Sequence, residues 1–170
     1  MINKIILSCF LLLSAISSSV LAQVSPDQEW QIKAEIKQLA DNYGFYRDHF
    51  MTEEYLTIWA EDAIAIDGDR MWQGHEELRT RIPDPSTASH IMHVMGTSHI
   101  DIIDATNATG VHYATIFRAI PEDRPREQST ILEMDGVYLV AKYMDEYILT
   151  DDGWKISKRD IDRTFRYTKD

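Results

Sequence analysis

The sequence predicts an α+β fold in which N-terminal helices pack on one face of a curved antiparallel sheet. Two observations predict it. Apolar residues between Ile32 and Tyr46 recur every three or four positions, the signature of an amphipathic helix. From His90 onward the chain breaks into long strand-like segments joined by short polar turns. Helices first and a meander of strands afterwards is the pattern of a layered α+β domain.

Taken in order, Ser25-Pro26-Asp27-Gln28 reads as a helix start: Ser25 caps, Pro26 suits the first turn and Gln28 completes a capping box. The apolar face Ile32, Ile36, Leu39, Ala40, Tyr43 and Tyr46 carries that helix to about Arg47. Thr52, followed by Glu53 and Glu54, begins a second short helix through Trp59. Alternating Ala63-Ile64-Ala65-Ile66 is a short strand stopped by Asp67-Gly68-Asp69, and Gly74 to Arg81 is a third helix ended by Pro83-Asp84-Pro85-Ser86. His90 to Ile103, Gly110 to Ile120, Ile131 to Leu149 and Trp154 to Phe165 read as four long strands. The last two are joined by the tight turn Thr150-Asp151-Asp152-Gly153.

The first 22 residues are expected to be a secretory signal peptide. Lys4 precedes the apolar run Ile5 to Ile16, and Val20-Leu21-Ala22 offers small residues at the −3 and −1 cleavage positions. The apolar run is short of the about 20 residues that span a bilayer, so the mature protein is expected to be exported, periplasmic or secreted, and free of the membrane. Removing 22 of 170 residues leaves 148, which suits one domain over 23–170. The sole cysteine, Cys9, lies in the leader, so the mature chain has no disulfide and no cysteine nucleophile or ligand. With 17 basic against 28 acidic residues the net charge is −11. That field repels nucleic acid and anionic lipid, and its plainest reading is solubility.

Three imidazoles, His90, His93 and His99, fall within one predicted strand, and His112 within the next. His90 stands an odd number of residues from His93 and belongs on the opposite sheet face. His93, His99 and His112 converge only if a bulge at Gly96 leaves the parity intact. A His₃ metal site is then conceivable, although no acidic third ligand or usual ligand spacing accompanies it. Asp48 sits where the first helix ends and faces the unfavourable pole of the helix dipole, at roughly 0.3–1 kcal/mol if exposed. Either it is a solvated loop carboxylate or something else holds it there. Tyr43 is core or a polarising phenol, and Arg159 is a partner for Asp145 or Glu133 across the strands or a group that meets a ligand. Met71, Trp72, Met92, Met95 and Phe117 suit an apolar pocket wall as well as helix-sheet packing.

Several short strings, in order, resemble the SnoaL-like branch of the nuclear transport factor 2-like superfamily. They are Ile36-Lys-Gln-Leu39, Ile58-Trp59-Ala60-Glu61-Asp62-Ala63, Gly74-His75-Glu76-Glu77-Leu78, His93-Val-Met-Gly-Thr97, Tyr143-Met-Asp145-Glu-Tyr147 and Gly153-Trp154-Lys-Ile156-Ser-Lys-Arg159. The resemblance covers roughly Glu29 to Arg166. Enzymes of this superfamily include scytalone dehydratase, bile-acid 7α-dehydratase and hexachlorocyclohexane dehydrochlorinase. The resemblance implies that His93 abstracts a proton, that Asp48 orients it, and that Tyr43, through the Tyr-x4-Asp spacing, assists. It places Arg159, His112 and Thr97 at substrate-binding positions and calls for no cofactor and no metal. A homodimer is common in such a family. Thr97 stands where the family pattern has Asn, and no second acid is evident on the middle strand, whose inward positions are His112, Ala114 and Ile116. Two functions follow: a cofactor-independent lyase or isomerase acting on a small apolar, perhaps cyclic, substrate, or a non-catalytic binding or dimerisation domain of the same fold.

Overall fold

The structure is a computed structural model that describes residues 24–119, 131–134 and 136–168. The leader expected over 1–22 and most of the loop before the third long strand lie outside the described residues. Helix α1 (Pro26–Asp48) begins on the capping box read from the sequence: Ser25 Oγ accepts from the Gln28 N–H and Gln28 Oε1 accepts from the Ser25 N–H. It is followed by α2 (Thr52–Thr57), β1 (Trp59–Asp67), β2 (Arg70–Gln73), α3 (Gly74–Arg79), β3 (Ile91–Ile102), β4 (Asn107–Arg118), β5 (Val137–Thr150) and β6 (Gly153–Arg166).

The six strands form one sheet in the order β2-β1-β6-β5-β4-β3. Strands β3 to β6 are the expected antiparallel meander, and β1 joins β6 in parallel. The sheet curves without closing, and α1 lies against β3 and β6 while α3 lies against β1. Side chains alternate inward and outward, so Leu39, Ile36 and Tyr43 of α1 meet Ala114, Tyr143, Tyr147 and Ile156 of the concave face in one core.

Several elements differ from the sequence reading. The second helix stops at Thr57 instead of running through Trp59, because Trp59 pairs with Ile156 and the Ile58 carbonyl accepts from the Ile156 N–H at 2.9 Å. A partner nearly a hundred residues away overrides the local pattern there. Strand β2 was not expected; it hairpins onto β1 through Gly68-Asp69, where Gly68 takes φ 62°, a left-handed conformation that glycine adopts without strain. β5 begins at Val137, later than the expected Ile131. Among the described residues no helix is long and apolar enough to cross a membrane.

Candidate active site

The end of α1 and the start of β3 meet side by side, and their closest polar contact is Asp48 with His93. Asp48 Oδ1 accepts from His93 Nδ1 at 2.6 Å, and Oδ2 accepts from the His93 backbone N–H at 2.6 Å. One carboxylate thus fixes both the ring and the strand that carries it. Side-chain exposure is 5 % for His93 and 11 % for Asp48, so Asp48 is no solvated loop carboxylate. Gly44 makes the approach possible, since a Cβ on it would lie 3.0 Å from His93 Cβ. With the Nδ1 proton directed at Asp48, the other ring nitrogen, Nε2, is the unprotonated one, and it has no hydrogen-bond partner among the described residues. Burial lowers the His93 pKa, against the opposing hydrogen bond to Asp48, and Arg47 and Arg159 lower it further. A neutral imidazole with a free Nε2 is the protonation state a general base needs.

Tyr43, one turn before Arg47 on α1, stands edge-on to His93 with ring centroids 6.0 Å apart. Its hydroxyl accepts from Arg47 Nη1 at 3.1 Å and from Arg81 Nη2 at 3.3 Å. Arg159 stacks its guanidinium on the Tyr43 ring at 4.1 Å and on Tyr143 at 4.6 Å. Burial alone would raise the Tyr43 pKa, but Arg47, Arg81 and Arg159 outweigh it and bring it down to about 7.

Arg159 is fully buried and makes a two-pronged pair with Asp145: Nε donates to Oδ1 at 2.7 Å and Nη2 to Oδ2 at 2.6 Å. Of the partners weighed from the sequence, Asp145 is the one it takes. Tyr147 also donates to Asp145 Oδ2 at 2.6 Å, which leaves the Tyr147 oxygen to accept from His112 Nε2 at 2.7 Å. His112 Nδ1 is then the acceptor, and Ser98 donates to it at 2.7 Å. Burial holds His112 neutral, with its pKa down to about 4. Ser98, His112, Tyr147, Asp145 and Arg159 therefore form one buried chain of hydrogen bonds across four strands.

The remaining imidazoles do not converge. A bulge in β3 between Met95 and Ser98 inserts one residue opposite Tyr113 and reverses the inward-outward alternation beyond it. Ser98 takes the inward place, Thr97 is exposed on the bulge, and His99 turns outward with 77 % of its side chain exposed. A bulge at Gly96 was the condition on which a His₃ site depended, and the one present here flips the parity that such a site required. Among the described residues no three His, Cys, Asp or Glu side chains are placed to hold a metal. Sequence reasoning missed Ser98 and Arg81 altogether, and weighed Asp145 only as a partner for Arg159. Asp145 was visible as the one acid in the alternating series Leu139, Ala141, Tyr143, Asp145, Tyr147, all of which point inward.

A SnoaL-like domain model matches residues 28–160, most of the chain. The chain belongs to the SnoaL-like domain family. No curated protein matches it. Solved structures that this SnoaL-like domain resembles include a candidate scytalone dehydratase from Novosphingobium aromaticivorans, at 19 % identity and TM-score 0.71 over 86 % of this chain and 94 % of that one. Another is hexachlorocyclohexane dehydrochlorinase LinA-type3 from Novosphingobium barchaimii, at 17 % identity and TM-score 0.69 over 84 % and 93 %. A third is a nuclear transport factor 2-like protein with a cystatin-like fold from Novosphingobium aromaticivorans, at 19 % identity and TM-score 0.66 over 81 % and 84 %. At such identities these likenesses establish the fold.

Proposed function

We propose that this SnoaL-like domain is an exported, cofactor-independent lyase or isomerase in which His93 removes a proton from a small, largely apolar and perhaps cyclic substrate. The observation that carries this is the Asp48–His93 contact at 2.6 Å with Nε2 left unpartnered. Asp48 holds the ring in the tautomer that presents Nε2 and stabilises the imidazolium once the proton is taken. Tyr43 stands beside the base to hydrogen-bond the oxygen on which negative charge develops. Arg159 stacks beneath Tyr43 and lends positive charge to the same spot, while its pairing with Asp145 holds it in place. His112 supports that pairing through Tyr147. The names of two structural neighbours, a candidate scytalone dehydratase and a hexachlorocyclohexane dehydrochlorinase, are those of elimination enzymes, which agrees with this class of chemistry.

A single experiment tests the reading before the substrate is identified. The protein is incubated in D₂O with a panel of cyclic ketones and hydroxy ketones, and deuterium uptake beside the carbonyl, or loss of water, is followed by NMR. Uptake by the wild type that drops about 10²–10⁴-fold in His93→Ala and Asp48→Asn supports the dyad. Undiminished uptake in His93→Ala sinks it.

One observation favours a second reading, a non-catalytic binding domain. Tyr43, Tyr55, Trp59 and Tyr143 pack ring against ring beside the dyad and fill much of the interior. Exposed Met92, Val94, Tyr113 and Met144 on the outer sheet face support a homodimer in either case. On the second reading a compound that raises the melting temperature undergoes no exchange with either form of the protein.

A further inference from the structure

A guanidinium has five N–H donors and no acceptor, and its burial is tolerable only where those donors meet oxygens or a negative charge. Two arginines reach the dyad from separate elements, Arg47 from the last turn of α1 and Arg81 from the segment after α3. Both donate to the Tyr43 hydroxyl, and neither pairs with a carboxylate among the described residues. Arg79, Arg159 and Arg163, by contrast, pair with Glu53, Asp145 and Asp67. Arg81 is only 8 % exposed, and its guanidinium lies over the Trp72 ring at 4.4 Å. Stacking engages the face of that group and leaves its N–H bonds, which lie in its plane, directed sideways. Arg81 Nε and Nη1 have no hydrogen-bond partner among the described residues, and Arg47 Nε is in the same state.

This end of the interior carries one positive charge more than its acids balance. Arg47, Arg81 and Arg159 surround Tyr43, and the acids beside them are Asp48, held by His93, and Asp145, held by Arg159. Two titratable groups register the surplus. Burial alone would raise the Tyr43 pKa, yet the three arginines bring it down to about 7. Burial lowers that of His93, and Arg47 and Arg159 lower it further. Tyr55 and Tyr143 also face Tyr43 and stay neutral, because burial pushes both up. The whole chain has a net charge of −11, so the positive interior is a local reversal of a field that otherwise repels anions.

We infer that Arg47 and Arg81 form an anion-binding subsite beside the dyad, and that the substrate is a largely apolar molecule carrying one carboxylate, which these two arginines hold. As a statement about the substrate this rests on the reading of His93 as the base. A carboxylate suits the site by charge and by shape. Its single charge matches the surplus, whereas a phosphate monoester brings nearly two and overshoots it. Its two oxygens accept from two donors at once, and the unpartnered N–H groups of Arg47 and Arg81 are donors without an acceptor. The Tyr43 ring spans the two functions: the arginines hold its hydroxyl, and His93 stands edge-on to it with centroids 6.0 Å apart. The carboxylate is therefore a handle that orients the molecule, set apart from the carbon that loses its proton, and it is not altered in the reaction.

Cyclohexanecarboxylate and cyclohexanecarboxamide share a shape and differ in charge, so together they separate the subsite from plain apolar burial. In titration calorimetry the acid should bind the wild-type protein at least about tenfold more tightly than the amide. Arg81→Met keeps an apolar stem against Trp72 and should erase that preference by weakening the acid alone. Arg47→Met should do the same, so the result does not hang on one variant folding. Arg81→Lys, which keeps the charge and loses the fork, should retain part of the preference. An amide that binds as tightly as the acid, an acid whose affinity neither methionine variant moves, or no binding of the acid up to about 10 mM overturns the inference. Binding requires no proton transfer, so this outcome is decided apart from the deuterium uptake that tests His93. In that uptake assay, with 3-oxocyclohexanecarboxylate and its amide as probes, Arg81→Met should raise KM for the acid about tenfold and leave kcat within about twofold. A variant that lowers kcat equally for acid and amide, with KM unmoved, contradicts a carboxylate handle.

Discussion

Two histidines of this domain stand in the same interior, each hydrogen-bonded toward an aspartate, and they differ in what is left over. His112 reaches Asp145 through Tyr147, and Ser98 closes its other nitrogen, so every polar atom of that imidazole is satisfied. His93 is held directly by Asp48 through Nδ1, and its Nε2 is left without a partner. Both residues lie against a glycine: a Cβ on Gly44 would lie 3.0 Å from His93 Cβ, and one on Gly110 2.9 Å from His112 Nε2. The same residue types under the same packing thus give one closed network and one open one. A satisfied chain rigidifies a core, whereas an imidazole with one free nitrogen is available for proton transfer.

The largest effects should come from breaking the closed side. Asp145→Ala strands the Arg159 guanidinium, which has no solvent exposure, and removal of one partner of such a pair costs about 3–5 kcal/mol. For a domain of this size the melting temperature should fall by about 6–20 °C in calorimetry. Asp48→Asn should lower it far less while abolishing proton abstraction, so that the two aspartates separate as a stability residue and a function residue. Comparable melting temperatures for the two variants would erase the distinction.

Acid should act on the same contrast with a smaller amplitude. Both imidazoles titrate lower in the folded chain than in the unfolded one, because burial disfavours the cation. Stability present above pH 6.5 is therefore lost as pH falls, since the unfolded chain takes up protons first, and for His112 the loss continues down to about pH 4. His112→Gln should flatten the urea-unfolding stability between pH 6.5 and 4 more than His93→Gln does. Turnover should fall on the acid side below pH 6.5, as His93 is protonated, and on the alkaline side near pH 7, as Tyr43 loses its proton. The smallest effect expected is that of Gly44→Ala. The added methyl displaces His93 by a few tenths of an ångström and should slow turnover at a cost in stability of about 1–3 kcal/mol, the range for overpacking.

Much of this architecture was legible in the residues themselves. The capping box at Ser25 and Gln28, the apolar face of α1 and the alternation in β3 to β6 are local signals, and local geometry obeys them. Trp59 and Arg70–Gln73 were misread because their strand state depends on partners: β6 for the first, the hairpin with β1 for the second. A bulge at Gly96 entered the sequence reading only as a condition, and its effect on the parity of β3 was not foreseen. One inserted residue decides whether His99 or Ser98 faces inward, and sequence alternation alone does not count it. Arg81 was hidden for a similar reason, since nothing around Arg79-Thr80-Arg81 signals that one of these arginines folds under Tyr43 while the other stays at the surface with Glu53.

The central claim is that Asp48 holds His93 as a neutral base with Nε2 free, and long-range ¹H–¹⁵N NMR of the ring nitrogens tests it directly. With His93→Gln used to assign the signals, the wild-type ring should show the proton on Nδ1 and an unprotonated Nε2, and should stay neutral to below pH 6.5. A proton found on Nε2 at pH 7, or a ring that becomes charged above pH 6.5, would contradict the account.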